Sequence, residues 1–234
     1  LLRRSNYWSV VQNGDDFNLL KNIRGNDTSR TSLISGSGVD IDLFYFAEPS
    51  QDKCRQILFP ARLLGDKGLH EFVSAARIIR AQRSDVRFVL AGRLDRSNPS
   101  SVEFSKIREW VDEGVVEWLG ERDDMDVLYR ESYLICLPSY REGLPKSLLE
   151  AASTGRPIVA TDVPGCREIC RHKENGLLVP VENSIALADA LITLLDDPDL
   201  CWRLGSKGRV IVEEEFSSDR INAEFLLLYC KMRE

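Results

Sequence analysis

Leu134-Ile135-Cys136-Leu137-Pro138-Ser139-Tyr140-Arg141-Glu142-Gly143-Leu144-Pro145-Lys146-Ser147-Leu148-Leu149-Glu150-Ala151-Ala152 reads as a strand, a loop and the start of a helix. The run from Tyr133 to Leu137 is short and wholly apolar, as in a strand covered on both faces; Pro and Gly then punctuate a loop, and from Lys146 the pattern is helical. The unit recurs along the chain. Strands are expected at 56–61, 87–91, 115–119, 133–137, 157–161 and 176–179, separated by amphipathic stretches at 68–82, 101–112, 125–132 and 146–154. Such alternation makes a parallel sheet with crossover helices, so the fold class is α/β, a Rossmann-like doubly wound sheet. Ser184–Leu195 and Phe216–Met232 read as two further helices, with a break at Asp196-Asp197-Pro198 between them.

The first fifty residues differ. A strand at 9–12, a helix at 17–23, a strand at 31–35, then Gly36-Ser37-Gly38 and an extended segment 39–46 read as the last βα unit of a preceding domain and a linker. The expected organisation is 1–50 for that remnant, 51–216 for the Rossmann-like domain and 217–234 for a helix crossing back. Because position 1 is Leu and lies in structured-looking sequence, most of the preceding domain is expected to be missing.

With 234 residues, 43% hydrophobic and 29% charged, the composition is that of a globular domain. A net charge of −6 argues against nucleic acid as a partner, since phosphate backbones are bound through summed positive charge. No apolar run approaches the ~20 residues that span a bilayer. Six scattered cysteines, several in apolar runs, suit buried thiols in a reducing cytosol. Cys166, Cys170 and His172 fit none of the usual zinc spacings, so no metal site and no cofactor is expected.

In a doubly wound sheet, ligands bind beyond the carboxyl ends of the strands, so the residues just after each strand carry the chemistry. After the first strand come Arg62 and Lys67, flanked by Gly65 and Gly68 and leading into a helix: two cations and free N–H groups at a helix start form an anion site. The loop lacks a dinucleotide fingerprint and a Gly-Lys-Ser/Thr phosphate loop. After the fourth strand, Glu142 and Glu150 stand eight residues apart, one in the loop and one on a helix that Leu148, Leu149, Ala151 and Ala152 mark as mostly buried. A carboxylate there needs a partner. Pro145 suits the first helical position, and the turn at Glu142-Gly143-Leu144 can aim N–H groups at a ligand.

Glu142 to Glu150 within Glu-Gly-Leu-Pro-Lys-Ser-Leu-Leu-Glu-Ala resembles the E-x7-E motif of the retaining, two-Rossmann-domain (GT-B) enzymes of the glycosyl transferases group 1 family. The segment from Gly155 to Gly165 with Glu168, the loop holding Arg62 and Lys67, and Gly38-Val39-Asp40 with Phe44 are similar to that family in the same order. The resemblance implies the C-terminal, donor-binding half of a GT-B fold. Its ligand would be a nucleoside-diphosphate sugar, with a UDP-sugar as the default. Arg62 and Lys67 would neutralise the diphosphate without a metal, Glu142 with the N–H groups of Gly143 and Leu144 would hold the transferred sugar, Glu150 the ribose, Lys146 would assist, and Leu119 and Gly120 would border the base. The acceptor would be a glycan or a polyprenyl-linked glycan in polysaccharide biosynthesis, bound mainly by the other domain. The resemblance implies a cytoplasmic protein, compatible with peripheral attachment to the inner membrane face through that domain. Front-face attack needs no protein nucleophile, and His70 and His172 lack the partners of a triad. Two readings compete: a sugar-nucleotide epimerase of the same fold, which should flank the sugar with acid and base groups, and a non-catalytic nucleotide-sugar sensor, which should have lost one of these four charged residues.

Overall fold

Residues 8–23, 28–48 and 54–233 are described by the computed structural model of the chain. The boundary expected at 50/51 and the first seven residues lie outside them. Two short strands, β1 (Ser9–Val11) and β2 (Thr31–Leu33), flank helix α1 (Gly14–Ile23) and pair in parallel as a small sheet of their own. The main sheet then alternates β3 (Arg55–Pro60), α2 (Leu69–Arg80), β4 (Val86–Ala91), α3 (Phe104–Asp112), β5 (Glu117–Trp118), α4 (Met125–Glu131), β6 (Leu134–Leu137), α5 (Lys146–Ser153), β7 (Ile158–Thr161), α6 (Pro164–Ile169) and β8 (Gly176–Val179). Helices α7 (Ser184–Asp196), α8 (Pro198–Glu215) and α9 (Ser218–Lys231) complete the chain.

All neighbouring strands of the main sheet are parallel, in the order β5-β4-β3-β6-β7-β8. Strand order reverses between β3 and β6, and that gap is the switch point. The two faces are read directly from alternate residues. Ile57, Phe59, Phe88, Leu90, Leu134 and Cys136 pack under α2, α3 and α7. Leu58, Val89, Ile135, Leu137, Ile158 and Ala160 pack under α4, α5, α6 and the end of α8. Burial on both faces explains why the strands are runs of apolar residues rather than alternating patterns.

Several elements depart from expectation, each for a local reason. The strand expected at 115–119 shrinks to Glu117–Trp118 because the N–H groups of Val115 and Val116 turn back to the Trp110 carbonyl at the end of α3. The segment expected to be extended from Val39 is a turn: Asp40 accepts from the N–H groups of Asp42 and Leu43 through its side chain and from Phe44 through its carbonyl. Pro145 precedes α5 as its cap, in extended conformation, rather than opening it. Asp196-Asp197-Pro198 is less an interruption than a start, since Asp197 caps α8 by accepting from Leu200 N–H, with Pro198 at the first position. Phe216 ends α8, and the terminal helix begins two residues later.

The linker meets that junction at Val39, whose N–H donates to Phe216 and whose carbonyl accepts from Ser218, both at 2.9 Å. Residues 41–44 lie against α8, where Arg209 Nη1 is 3.0 Å from the carbonyls of Ile41 and Phe44. On α9, Leu228 is buried with Ile34 and Ile221, while Leu226 and Leu227 face solvent.

Candidate functional site

Two loops meet at the switch point. The one after β3 ends in a tight turn, Gly65–Lys67, and enters α2 through Gly68; the one after β6 runs from Pro138 to Pro145. Gly68 has φ +73°, and a Cβ there would stand 2.0 Å from the Pro138 carbonyl oxygen, so only glycine lets the loops come this close. Tyr140 N–H closes them further by donating to the Asp66 carbonyl at 2.9 Å.

This contact places Lys67 against Glu142. The ammonium donates to Glu142 Oε1 at 2.7 Å, and the Ser139 hydroxyl donates to the same oxygen at 2.7 Å. Both side chains are mostly buried, at 19% and 12% exposure, so neither charge is well solvated without the other. The rest of the loop faces the small β1–α1–β2 unit: the Gly143 carbonyl accepts from Asn13 Nδ2 at 2.9 Å, and the Leu144 side chain lies against Gly36. Among the described residues no acceptor engages the N–H of Gly143 or Leu144.

A cleft of about 430 Å³ opens on the α4/α5 side of the same strand ends. Arg62, Gly92, Arg93, Glu121, Arg122, Met125, Tyr129, Ser147 and Glu150 line it. Its floor is tight, for a Cβ on Gly92 would be 1.9 Å from the Ala61 carbonyl oxygen. Arg62 pairs with Asp95 at 2.7 Å, and the Ser97 hydroxyl and the Arg62 guanidinium together hold the Asp95 carboxyl below its ordinary range. Glu150 is largely buried; Tyr129 donates to its Oε2 at 2.9 Å and Lys146 Nζ lies 3.8 Å from its Oε1. Burial pushes the Glu150 carboxyl up, opposed by the Tyr129 hydrogen bond and by Lys146.

Arg62 and Glu150 thus share one cleft, Lys67 and Glu142 form a pair at the neighbouring loops, and Gly143 and Leu144 complete the Glu142 loop. Lys146 reaches Glu150 from an exposed position. Leu119 and Gly120 flank the cleft without lining it: the Gly120 carbonyl accepts from Gly92 N–H at 2.8 Å, and the next two residues form the wall. Sequence reasoning passed over Arg93, Asp95 and Tyr129. Arg93 follows a strand as Arg62 does, so the same rule would have found it; Asp95 and Tyr129 act through partners distant in sequence, which no local pattern shows.

Other candidates recede. Cys166 and Cys170 are buried, with burial pushing the Cys166 thiol to about 12, and His172 Nδ1 accepts from Leu178 N–H. Among the described residues no three of His, Cys, Asp or Glu gather as a metal site. Cys54 and Cys230 are exposed, which departs from the expectation of buried thiols. A smaller cavity, between Ile79, Arg83 and Ile192, lies by the segment leading into β4, away from the switch point, and Arg83 there is already paired with Asp85 and Asp196.

Residues 54–197, which contain the whole main sheet, match the family described as Glycosyl transferases group 1. The chain belongs to that family. A relative from Campylobacter jejuni, N,N'-diacetylbacillosaminyl-diphospho-undecaprenol alpha-1,3-N-acetylgalactosaminyltransferase, is 33% identical over 178 residues, 76% of this chain and 45% of the relative. The chain spans about half the length of the curated relatives it matches. Among solved structures, sucrose-phosphate synthase from Thermosynechococcus elongatus superposes with a TM-score of 0.82 at 26% identity, over 95% of this chain and 57% of the other. The Anabaena protein HepE, in complex with UDP and glucose, shares the fold at TM-score 0.82 and 22% identity, over 95% of this chain and 62% of that one. The main sheet and its strand order are therefore those of a group 1 glycosyltransferase domain.

Proposed function

We propose that the chain provides the nucleotide-sugar site of a retaining glycosyltransferase that moves a sugar from a nucleoside diphosphate to a glycan or lipid-linked acceptor. The observation that carries this reading is the convergence of two cations and two carboxylates, Arg62, Lys67, Glu142 and Glu150, on the loops and helix at one switch point. In this reading a diphosphate takes Arg62 from Asp95 and Lys67 from Glu142, assisted by the N-terminus of α2, so that both cations stabilise the departing nucleoside diphosphate. That division assigns the phosphate charge to side chains, and chelation of divalent metal leaves donor binding unchanged. Glu142, released from Lys67, accepts from sugar hydroxyls, while Glu150 accepts from the ribose as acidic residues do in dinucleotide sites. The HepE complex makes UDP the first nucleotide to test. The Campylobacter relative, named for a diphospho-undecaprenol acceptor, supports a lipid-linked acceptor; in this reading a second domain binds that acceptor in the cytoplasm, at the inner membrane face.

The test crosses two variants with two ligands in calorimetry. Glu150→Gln weakens UDP and the UDP-sugar alike, by roughly 1–3 kcal/mol. Glu142→Gln leaves bare UDP unchanged or tighter, because Lys67 loses its competing partner, yet removes most turnover in a protein carrying both Rossmann-like halves. If Glu142→Gln weakens UDP as much as Glu150→Gln does, the division of roles is wrong; if neither has an effect, the donor site lies elsewhere.

A further inference from the structure

We propose that Tyr129 is a positioning residue for ribose recognition: its hydroxyl fixes one carboxylate oxygen of Glu150, presents the other to the cleft, and so makes the site distinguish ribose from 2′-deoxyribose. This rests on the reading of Glu150 as the ribose acceptor. An ionised glutamate is an acceptor only, at the end of a side chain with several rotatable bonds, so a directional task requires a donor to hold it. Among the described residues, two donors approach. Lys146 is 3.8 Å from Oε1 and its side chain is 63% exposed, which gives attraction but little direction. Tyr129 donates to Oε2 at 2.9 Å from a fully buried position.

The phenol is itself held. Phe44 of the linker packs edge-on against its ring, centroids 6.0 Å apart, within the apolar layer formed by Leu128, Leu148 and Leu149. Tyr129 and Glu150 both border the cleft, so the carboxylate that the hydroxyl holds stands at the cleft wall. The bond has an electrostatic consequence as well. Burial favours protonation of Glu150, the Tyr129 hydrogen bond opposes it, and only the ionised group can accept from both hydroxyls of a diol. The charged group that acts on it is Lys146 on its own helix, and Arg62, Arg93, Glu121 and Arg122 face it around the cleft.

Tyr129→Phe removes the hydroxyl and little else, and its thermal unfolding reports whether the fold survives. Titrations with UDP and 2′-deoxy-UDP give the selectivity. UDP affinity should fall about tenfold in Tyr129→Phe while 2′-deoxy-UDP changes less than threefold, and the substitution should add nothing in a Glu150→Gln background. In the ligand-free protein, the carboxyl carbon of Glu150, followed by NMR, should titrate at higher pH in Tyr129→Phe than in the wild type. Equal loss of both nucleotides with an unmoved Glu150 titration overturns the proposal, leaving Tyr129 as packing alone. A wild type that binds neither nucleotide, with the Glu150 titration still shifted, overturns the donor-site reading and the ribose selection together.

Discussion

At the residue scale the site is a set of charges already committed to one another, and its energetics follow from what each gives up. Arg62 is 44% exposed and its pair with Asp95 is a surface one, worth little by itself. Asp95 nevertheless competes with a phosphate for the same guanidinium. Asp95→Asn should therefore tighten UDP by about two- to fivefold with the fold unchanged, measured by calorimetry. Glu150 works the other way, because its carboxyl lies above the ordinary 4.5 through burial. The native state then holds more protons than the unfolded chain between the two values, so stability falls as pH rises through that window and stays lower above it. Glu150→Gln removes the penalty: the expected outcome is a higher Tm at neutral pH, with no gain below pH 4, each kcal/mol moving Tm by roughly 2–4 °C in a chain of this size. The same substitution weakens nucleotide, so stability and binding move in opposite directions at one side chain. Arg62, Lys67, Glu142 and Glu150 were all visible in the sequence because they follow strands or sit on a buried helix. Their present partners were visible only in part, since Asp95 meets Arg62 across thirty-three positions and Tyr129 meets Glu150 across twenty-one.

At the scale of elements, glycines decide how closely the loops approach. Gly68 joins the turn of Lys67 to α2 with a left-handed backbone against Pro138. Gly68→Ala should lower stability by at least about 1–3 kcal/mol from backbone strain alone, and because the clash is with backbone, the Lys67–Glu142 contact opens as well. Denaturant unfolding and UDP titration of the one variant read both effects. Five of the six main-sheet strands were legible because each carries a short apolar run between turn residues, whereas β5 keeps only Glu117 and Trp118 of the run expected there, and the helices α2 to α5 were legible because their apolar spacing is regular. Helix α8 was not, for its polar surface and its two glycines, Gly205 and Gly208, imitate a loop. Gly205 is in fact a packing contact, since a Cβ there would stand 2.1 Å from the Gly155 carbonyl oxygen. The turn at Asp40 escaped for a related reason: a side chain that caps its own following N–H groups leaves no periodic mark.

At the scale of the whole molecule, the sheet, the linker and the small β1–α1–β2 unit all bear on one region. The Glu142 loop touches Asn13 and Gly36, the linker turn packs Phe44 against Tyr129, and α9 returns beside Val39. The switch point therefore borders the contacts between the main sheet and the N-terminal segment. Recognition of a diphosphate through Arg62 and Lys67 can be read by comparing UDP with uridine in calorimetric titrations of the wild-type chain. Two charge-assisted contacts at about 1.5–3 kcal/mol each predict a preference for UDP on the order of 100-fold or more, lost when both cations are replaced by Ala. Equal affinities for UDP and uridine would contradict the account.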